Sequence, residues 1–129
     1  MAEKEVVRTE RAPAPFQGAP YSQAILSGEL VFVSGQLGLR PGETSPVGET
    51  VEEQTEQVLT NVRAILEEAG SGLERLVKTT VFLVDLGDFA AMNEVYARHV
   101  GERPPARSTV EVSALPSRAR VEIEAIAVR

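Results

Sequence analysis

The 129-residue sequence contains no cysteine, no tryptophan and a single histidine, His99. Without cysteine the chain can form no disulfide, no thiolate nucleophile and no Cys-ligated metal or iron–sulfur site. With one histidine, we do not expect a His-rich metal site or a Ser-His-Asp triad either. We therefore expect no metal site of these kinds.

Basic and aromatic residues are also scarce. The 13 Lys and Arg residues are outnumbered by 19 Asp and Glu residues, which gives a formal net charge of −6. Four Phe and two Tyr residues leave few rings for base stacking. Proteins that bind a phosphate backbone are usually basic, so we expect no nucleic-acid partner.

Long apolar runs are missing too. The longest are four residues, such as 81–84, whereas a helix needs about 20 apolar residues to cross a bilayer. The charged N-terminal residues lack the apolar segment of a secretory signal. These features predict a cytoplasmic protein without a membrane partner, and the length predicts a single domain over residues 1–129.

Two helices are indicated by their start and stop signals. Thr50 and Glu53 have the spacing of a capping box, and apolar residues then recur every three or four positions until Gly70. Asp88 can cap a second helix, which we expect to end at Gly101.

Segments rich in β-branched and aromatic residues predict strands around these helices. The expected strands are Glu5–Arg8, Tyr21–Leu26, Leu30–Gly35, Leu76–Asp85, Ala106–Val112 and Arg120–Val128. The element order therefore predicts an α+β fold with two helices on one face of a six-stranded sheet. The final strand is apolar on both faces, so we expect the uncovered face of the sheet to contact neighbouring subunits.

The last two predicted strands carry opposite charges at positions that could meet. If they form a hairpin in which paired residue numbers sum to 229, Arg107 lies opposite Glu122 and Glu111 lies opposite Arg118. Cross-strand ion pairs on a solvated sheet are common and contribute little, which is one interpretation. In the other, Arg107 binds a carboxylate ligand and keeps Glu122 ionised, so that Glu122 can activate a water molecule.

Several short motifs, spread in order along nearly the whole chain, resemble the RidA (YjgF/YER057c-like) family. They are Ala19–Gln23, Val33–Gln36, Lys78–Phe82, Pro105–Val112, Leu115–Pro116 and Val121–Ala127. The resemblance implies a chorismate-mutase-like fold, with a mostly antiparallel mixed sheet, assembled as a homotrimer. Its ligand sites would lie in clefts between subunits.

The resemblance also implies an activity. Enzymes of this family hydrolyse reactive enamines and imines, such as 2-aminoacrylate, 2-iminopropanoate and 2-iminobutanoate, to 2-oxo acids and ammonia. They use no cofactor and no metal. The expected partners are therefore small 2-imino and 2-oxo carboxylates.

Each expected site residue stands at a position of the family motif, although Thr109 stands where many members have cysteine. Arg107 corresponds to the carboxylate-binding arginine, and Glu122 to the glutamate that orients the attacking water. The resemblance assigns substrate binding to Tyr21, Ser34, Gly35, Asn93 and Thr109, with Gly35 and Thr109 acting through their backbone N–H groups. Apart from the resemblance, Tyr21 could simply anchor a loop, and Asn93 could be an ordinary polar residue of a helix.

Three alternatives remain open at this stage. The chain could be a related catabolic deaminase that acts on aminomuconate-like substrates. It could instead bind carboxylates as a regulatory trimer without turnover. The ribonuclease or translation-inhibitor activity attributed to some family members is the least favoured, because the chain is acidic.

Overall fold

Six strands and two helices make up the regular structure in the computed structural model, which describes residues 3–129. The strands are β1 (Lys4–Val7), β2 (Ala24–Ser27), β3 (Leu30–Leu37), β4 (Leu76–Leu83), β5 (Ala106–Glu111) and β6 (Val121–Val128). The helices are α1 (Val51–Glu68) and α2 (Phe89–Val100). The predicted α+β class and element order are confirmed.

All six strands form one mixed sheet in the order β1-β2-β3-β6-β4-β5. Every neighbouring pair is antiparallel except β4 and β5, which are parallel. The C-terminal strand β6 therefore lies in the middle of the sheet, and β5 forms an edge. Strand β4 lies between β6 and this edge strand.

The predicted hairpin between β5 and β6 is wrong. Strand β5 pairs with β4, while β6 lies between β3 and β4. The physical reason is that α2 connects β4 to β5, and a helical crossover joins parallel strands. Arg107 consequently lies beside Thr79, and Glu122 lies between Leu37 and Phe82.

Helix α1 begins as its sequence predicts. The Thr50 side chain accepts a hydrogen bond from the Glu53 backbone N–H at 3.1 Å, and the Glu53 carboxylate accepts one from the Thr50 N–H at 3.3 Å. Both halves of the capping box are thus formed. The chain leaves the helix through Gly70, whose φ of +82° is a left-handed conformation that favours glycine.

Helix α2 differs from its prediction in one detail. Asp88 occupies the N-cap position, but its side chain makes no capping hydrogen bond. The Asp88 carboxylate lies instead 3.6 Å from the Arg120 guanidinium, at the start of β6. His99 in the last turn contacts Glu56 of α1 at 2.7 Å, so it connects the two helices.

The two faces of the sheet differ in what covers them. Both helices lie on one face, where alternate β6 residues are fully buried, for example Val121, Ile123 and Ala127. The opposite face, called the open face below, carries Glu122 and Glu124 of β6 together with exposed Phe32 of β3. Within residues 3–129, neither helix is long and apolar enough to span a bilayer.

Candidate functional site

The expected site residues fall into two groups on opposite faces of the sheet. Thr79 of β4 pairs with Arg107 of β5. Phe82, three residues later in β4, pairs with Glu122 of β6. Side chains alternate along a strand, so Thr79 and Phe82 project to opposite faces. Arg107 therefore lies on the helix-covered face and Glu122 on the open face, and one copy of the chain does not bring them together.

The group on the open face lines a cavity of about 720 Å³. Four expected site residues contribute to its wall: Tyr21, Ser34, Gly35 and Glu122. Its other walls come from the loop that precedes β2, the loop that follows β3, and Pro116 in the turn before β6. The sequence-based assignment thus places four dispersed residues around one space.

A bulge in β3 shapes the floor of this cavity. The pairing with β6 shifts between Val33 and Gln36, so that Ser34 and Gly35 have no register partner in β6. A bulge of this kind adds a residue to one strand and redirects its neighbours. A Cβ atom on Gly35 would lie only 2.8 Å from Cδ of Glu122. The close approach of the Glu122 carboxyl therefore requires glycine at this position.

Hydrogen bonds fix the neighbouring polar groups. The Ser34 hydroxyl donates to the Ser22 carbonyl at 2.6 Å, and the Ser34 backbone N–H donates to the Gln23 carbonyl at 2.9 Å. The Tyr21 hydroxyl accepts a hydrogen bond from the Phe16 N–H at 2.6 Å. That bond uses a lone pair, so the hydroxyl proton of Tyr21 stays available for another acceptor.

The electrostatic state of Glu122 differs from the expected one. Burial raises the pKa of the Glu122 carboxyl above its ordinary value of 4.5, and the nearby charge of Glu124 raises it further. The expectation that Arg107 lowers this pKa within one chain is wrong, because Arg107 lies on the other face of the sheet. A carboxyl with a raised pKa is better matched to accepting and returning a proton near neutral pH.

The second group lies at the β5 edge. The Arg107 guanidinium carbon is 4.8 Å from the centre of the Tyr96 ring and 5.5 Å from that of Phe89. Thr109 follows two positions later and projects from the same face of β5. Asn93 lies between the two aromatic residues in α2, and its buried Oδ1 has no hydrogen-bond partner within residues 3–129.

Sequence reasoning missed the aromatic partners of Arg107. Phe89, Asn93 and Tyr96 are separated by four and three positions, which places them on one side of α2. That spacing is visible in the sequence, but only the pairing of β4 with β5 shows that Arg107 faces this side. No three His, Asp or Glu side chains in the described part of the chain come together to hold a metal ion.

Comparisons with known proteins agree along almost the whole chain. A family model described as Endoribonuclease L-PSP matches residues 9–129. Reactive Intermediate Deaminase A from the chloroplast of Arabidopsis thaliana is 53% identical over 124 residues, which cover 96% of this chain and 65% of that protein. The 2-iminobutanoate/2-iminopropanoate deaminase of Capra hircus is 44% identical over 126 residues, with 98% and 90% coverage.

A solved structure gives the same fold. The crystal structure of E. coli TdcF with bound serine has a TM-score of 0.88 and 40% sequence identity, and the match covers 97% of this chain and 98% of TdcF. Similarity in sequence and in structure thus extends over both groups of candidate residues.

Proposed function

This chain belongs to the RidA family, and from that membership we propose that it is an enamine and imine deaminase. The proposed substrates are 2-aminoacrylate and its tautomer 2-iminopropanoate, together with 2-iminobutanoate. The products are the 2-oxo acid and ammonia. The observation that carries the proposal is the pair of half-sites: an arginine without an ion-pair partner among residues 3–129, and a cavity containing a glutamate with a raised pKa.

The two half-sites require two copies of the chain. Arg107 and Glu122 lie on opposite faces of the sheet, so a site that uses both must combine the β5 edge of one copy with the open-face cavity of the next. Such a contact joins two different surfaces, and repeated contacts of this type form a ring when the rotation between successive copies closes, or an open filament when it does not. We propose a homotrimer with a site at each subunit boundary, three being the number that the family resemblance implies.

The open face supports this assembly. A row of apolar side chains crosses four strands there, and adjacent members of the row are register partners. Its members are Val6, Ile25, Phe32 and Ile126. Val6 is 56% exposed and Phe32 is 41% exposed in the single chain, and a row of this kind gains stability when another subunit covers it.

The proposed reaction needs no covalent intermediate with the protein. Arg107 binds the substrate carboxylate through two parallel hydrogen bonds, assisted by the Thr109 backbone N–H. Glu122 takes a proton from water as the oxygen attacks the C=N carbon and delivers that proton to the imine nitrogen, which returns Glu122 to its carboxylate form. The resulting carbinolamine loses ammonia and leaves the 2-oxo acid. Holding the reactants in this geometry supplies much of the rate increase.

A coupled assay tests the proposal. A pyridoxal-phosphate dehydratase generates 2-aminoacrylate in solution, semicarbazide traps the imine, and the added protein competes for it. We expect less semicarbazone and faster pyruvate formation. Arg107→Ala should abolish this effect and preserve the trimer, whereas Arg75→Ala, at an exposed arginine that does not line the cavity, should behave as wild type.

The other outcomes separate the alternatives. Unchanged trapping with several imine precursors would overturn the deaminase proposal, and carboxylate binding without turnover would then favour a regulatory trimer. Retained deamination in Arg107→Ala would contradict the assigned role of the arginine. Tight RNA binding with a steep salt dependence would favour a ribonuclease, against the expectation from a net charge of −6.

A further inference from the structure

The side chain of Arg107 is held by aromatic rings. Its guanidinium carbon lies over Tyr96 at 4.8 Å and over Phe89 at 5.5 Å, both within the range of a cation–π interaction. Among residues 3–129, no carboxylate forms an ion pair with it. The contacts that set the orientation of this guanidinium are therefore those of α2.

The Tyr96 ring is itself fixed in place. It is only 5% exposed, and its hydroxyl lies 2.6 Å from Oγ1 of Thr79. Thr79 is also the register partner of Arg107 in the pairing of β4 with β5. Strand β4 thus positions both the ring and the arginine that lies over it. Burial raises the pKa of Tyr96 above its ordinary value of 10.0, so the ring is a neutral phenol.

A cation–π contact and a bound carboxylate use different properties of one guanidinium. The rings attract its positive charge, whereas a carboxylate binds in its plane through the N–H fork. An arginine side chain held by rings has also lost part of its rotamer freedom before the ligand arrives. Binding then costs less conformational entropy.

We infer that Phe89 and Tyr96 are positioning residues, which hold the Arg107 guanidinium ready to bind a carboxylate through its N–H edge. The inference rests on the proposed function, because it assumes that the ligand of Arg107 is the substrate carboxylate. It goes further by assigning the affinity for carboxylates partly to the two aromatic side chains that contact the arginine.

Direct titration of the intact protein tests the inference without turnover. The probes are 2-oxobutanoate and its uncharged analogue 2-oxobutanamide, each followed by isothermal titration calorimetry. Phe89→Leu is the main variant, because Phe89 is 42% exposed and its replacement leaves the core intact. We expect the Kd of 2-oxobutanoate to rise roughly 3- to 30-fold, the range that corresponds to one cation–π contact. The Kd of the amide should not change.

Two further variants separate positioning from a merely structural role. Tyr96→Phe keeps the ring and should retain most of the carboxylate affinity, whereas Tyr96→Leu removes the ring and should lose it. Leu86→Ala, at an equally exposed aliphatic residue just before α2, should bind both probes as wild type does. In turnover, Phe89→Leu should raise KM and leave kcat nearly unchanged, as expected for loss of uniform binding.

Three results would overturn the inference: unchanged 2-oxobutanoate binding in Phe89→Leu, an equal loss for acid and amide, or no 2-oxobutanoate binding by the wild type. Absence of deamination with intact, ring-dependent carboxylate binding would refute the proposed function alone. The two failures are therefore distinguishable.

Discussion

Replacement of Gly35 by alanine tests the geometry of the cavity most directly. The added Cβ would lie 2.8 Å from Cδ of Glu122 and 3.0 Å from both its Cγ and its Oε2. Ordinary van der Waals contact for a Cβ begins at 3.4 Å. The Glu122 carboxyl group must therefore retreat by 3.4 − 2.8 Å, which is about 0.6 Å.

This displacement should affect catalysis far more than stability. Glu122 can move its flexible side chain, and alanine reduces the freedom of the unfolded chain, so we expect the free energy of unfolding to change by less than about 1 kcal/mol. A shift of about 1 Å in a reacting group can cost about 100-fold in rate. For the smaller shift here, we expect kcat for imine hydrolysis to fall by roughly 10- to 100-fold.

The measurement is the semicarbazide competition assay, with thermal unfolding recorded in parallel. Gly42→Ala is the matched control, because Gly42 also lines the cavity but has no atom within 4 Å of the added Cβ. Its φ of +82° makes alanine strained there, so this variant should lose about 1–2 kcal/mol of stability and keep its activity. Gly35→Ala should therefore reduce activity at nearly unchanged stability, and Gly42→Ala should reduce stability at unchanged activity.

A double variant shows whether the effect acts through the carboxylate. If Gly35→Ala works by displacing Glu122, it should reduce activity little further once Glu122→Gln has removed the base. Wild-type kcat in Gly35→Ala would refute the argument. So would an equal further loss in the Glu122→Gln background, because the alanine would then be acting on another group.

Three other predictions concern charge, assembly and helix stability. Burial and the charge of Glu124 raise the pKa of Glu122, which must be deprotonated to accept a proton from water, so Glu124→Gln should move the acid limb of the kcat/KM profile to lower pH. Phe32→Glu puts a charge into the apolar row of the open face and should give monomers in analytical ultracentrifugation, without deaminase activity; trimers would contradict the assigned interface. Thr50→Ala removes the hydroxyl that accepts the Glu53 backbone N–H, one of the two hydrogen bonds of the capping box, and should lower the free energy of unfolding by about 1 kcal/mol, measured by urea denaturation, with kcat unchanged.

Local features of the fold could be predicted from the sequence because their causes are local. The capping box of Thr50 and Glu53, the stop at Gly70 and the α+β order each depend on residues a few positions apart. The boundaries of some strands were less well predicted. Strand β2 begins at Ala24, three residues after the expected start at Tyr21, because the backbone N–H of Tyr21 donates to the Ala19 carbonyl within the loop, at 2.9 Å.

The order of the strands could not be predicted from charge matching. The sequence offered an attractive pairing of Arg107 with Glu122, but pairing depends on the whole chain path, and the helix between β4 and β5 made those two strands parallel. The apolar residues on both faces of β6 are typical of a strand that is covered on both faces, and they do not specify its position in the sheet.

The observed strand order changes how Arg107 can affect the ionisation of Glu122. Within one chain, Arg107 forms no ion pair across residues 3–129 and Glu122 has a raised pKa beside Glu124. In the proposed assembly, the arginine of one subunit approaches the glutamate of the next and favours its ionised form. The proton affinity of Glu122 would then depend on association. The carboxylate site and the base would come from different subunits, so the activity per chain should fall on dilution in proportion to the fraction of trimer. A site formed within one chain would keep its activity on dilution.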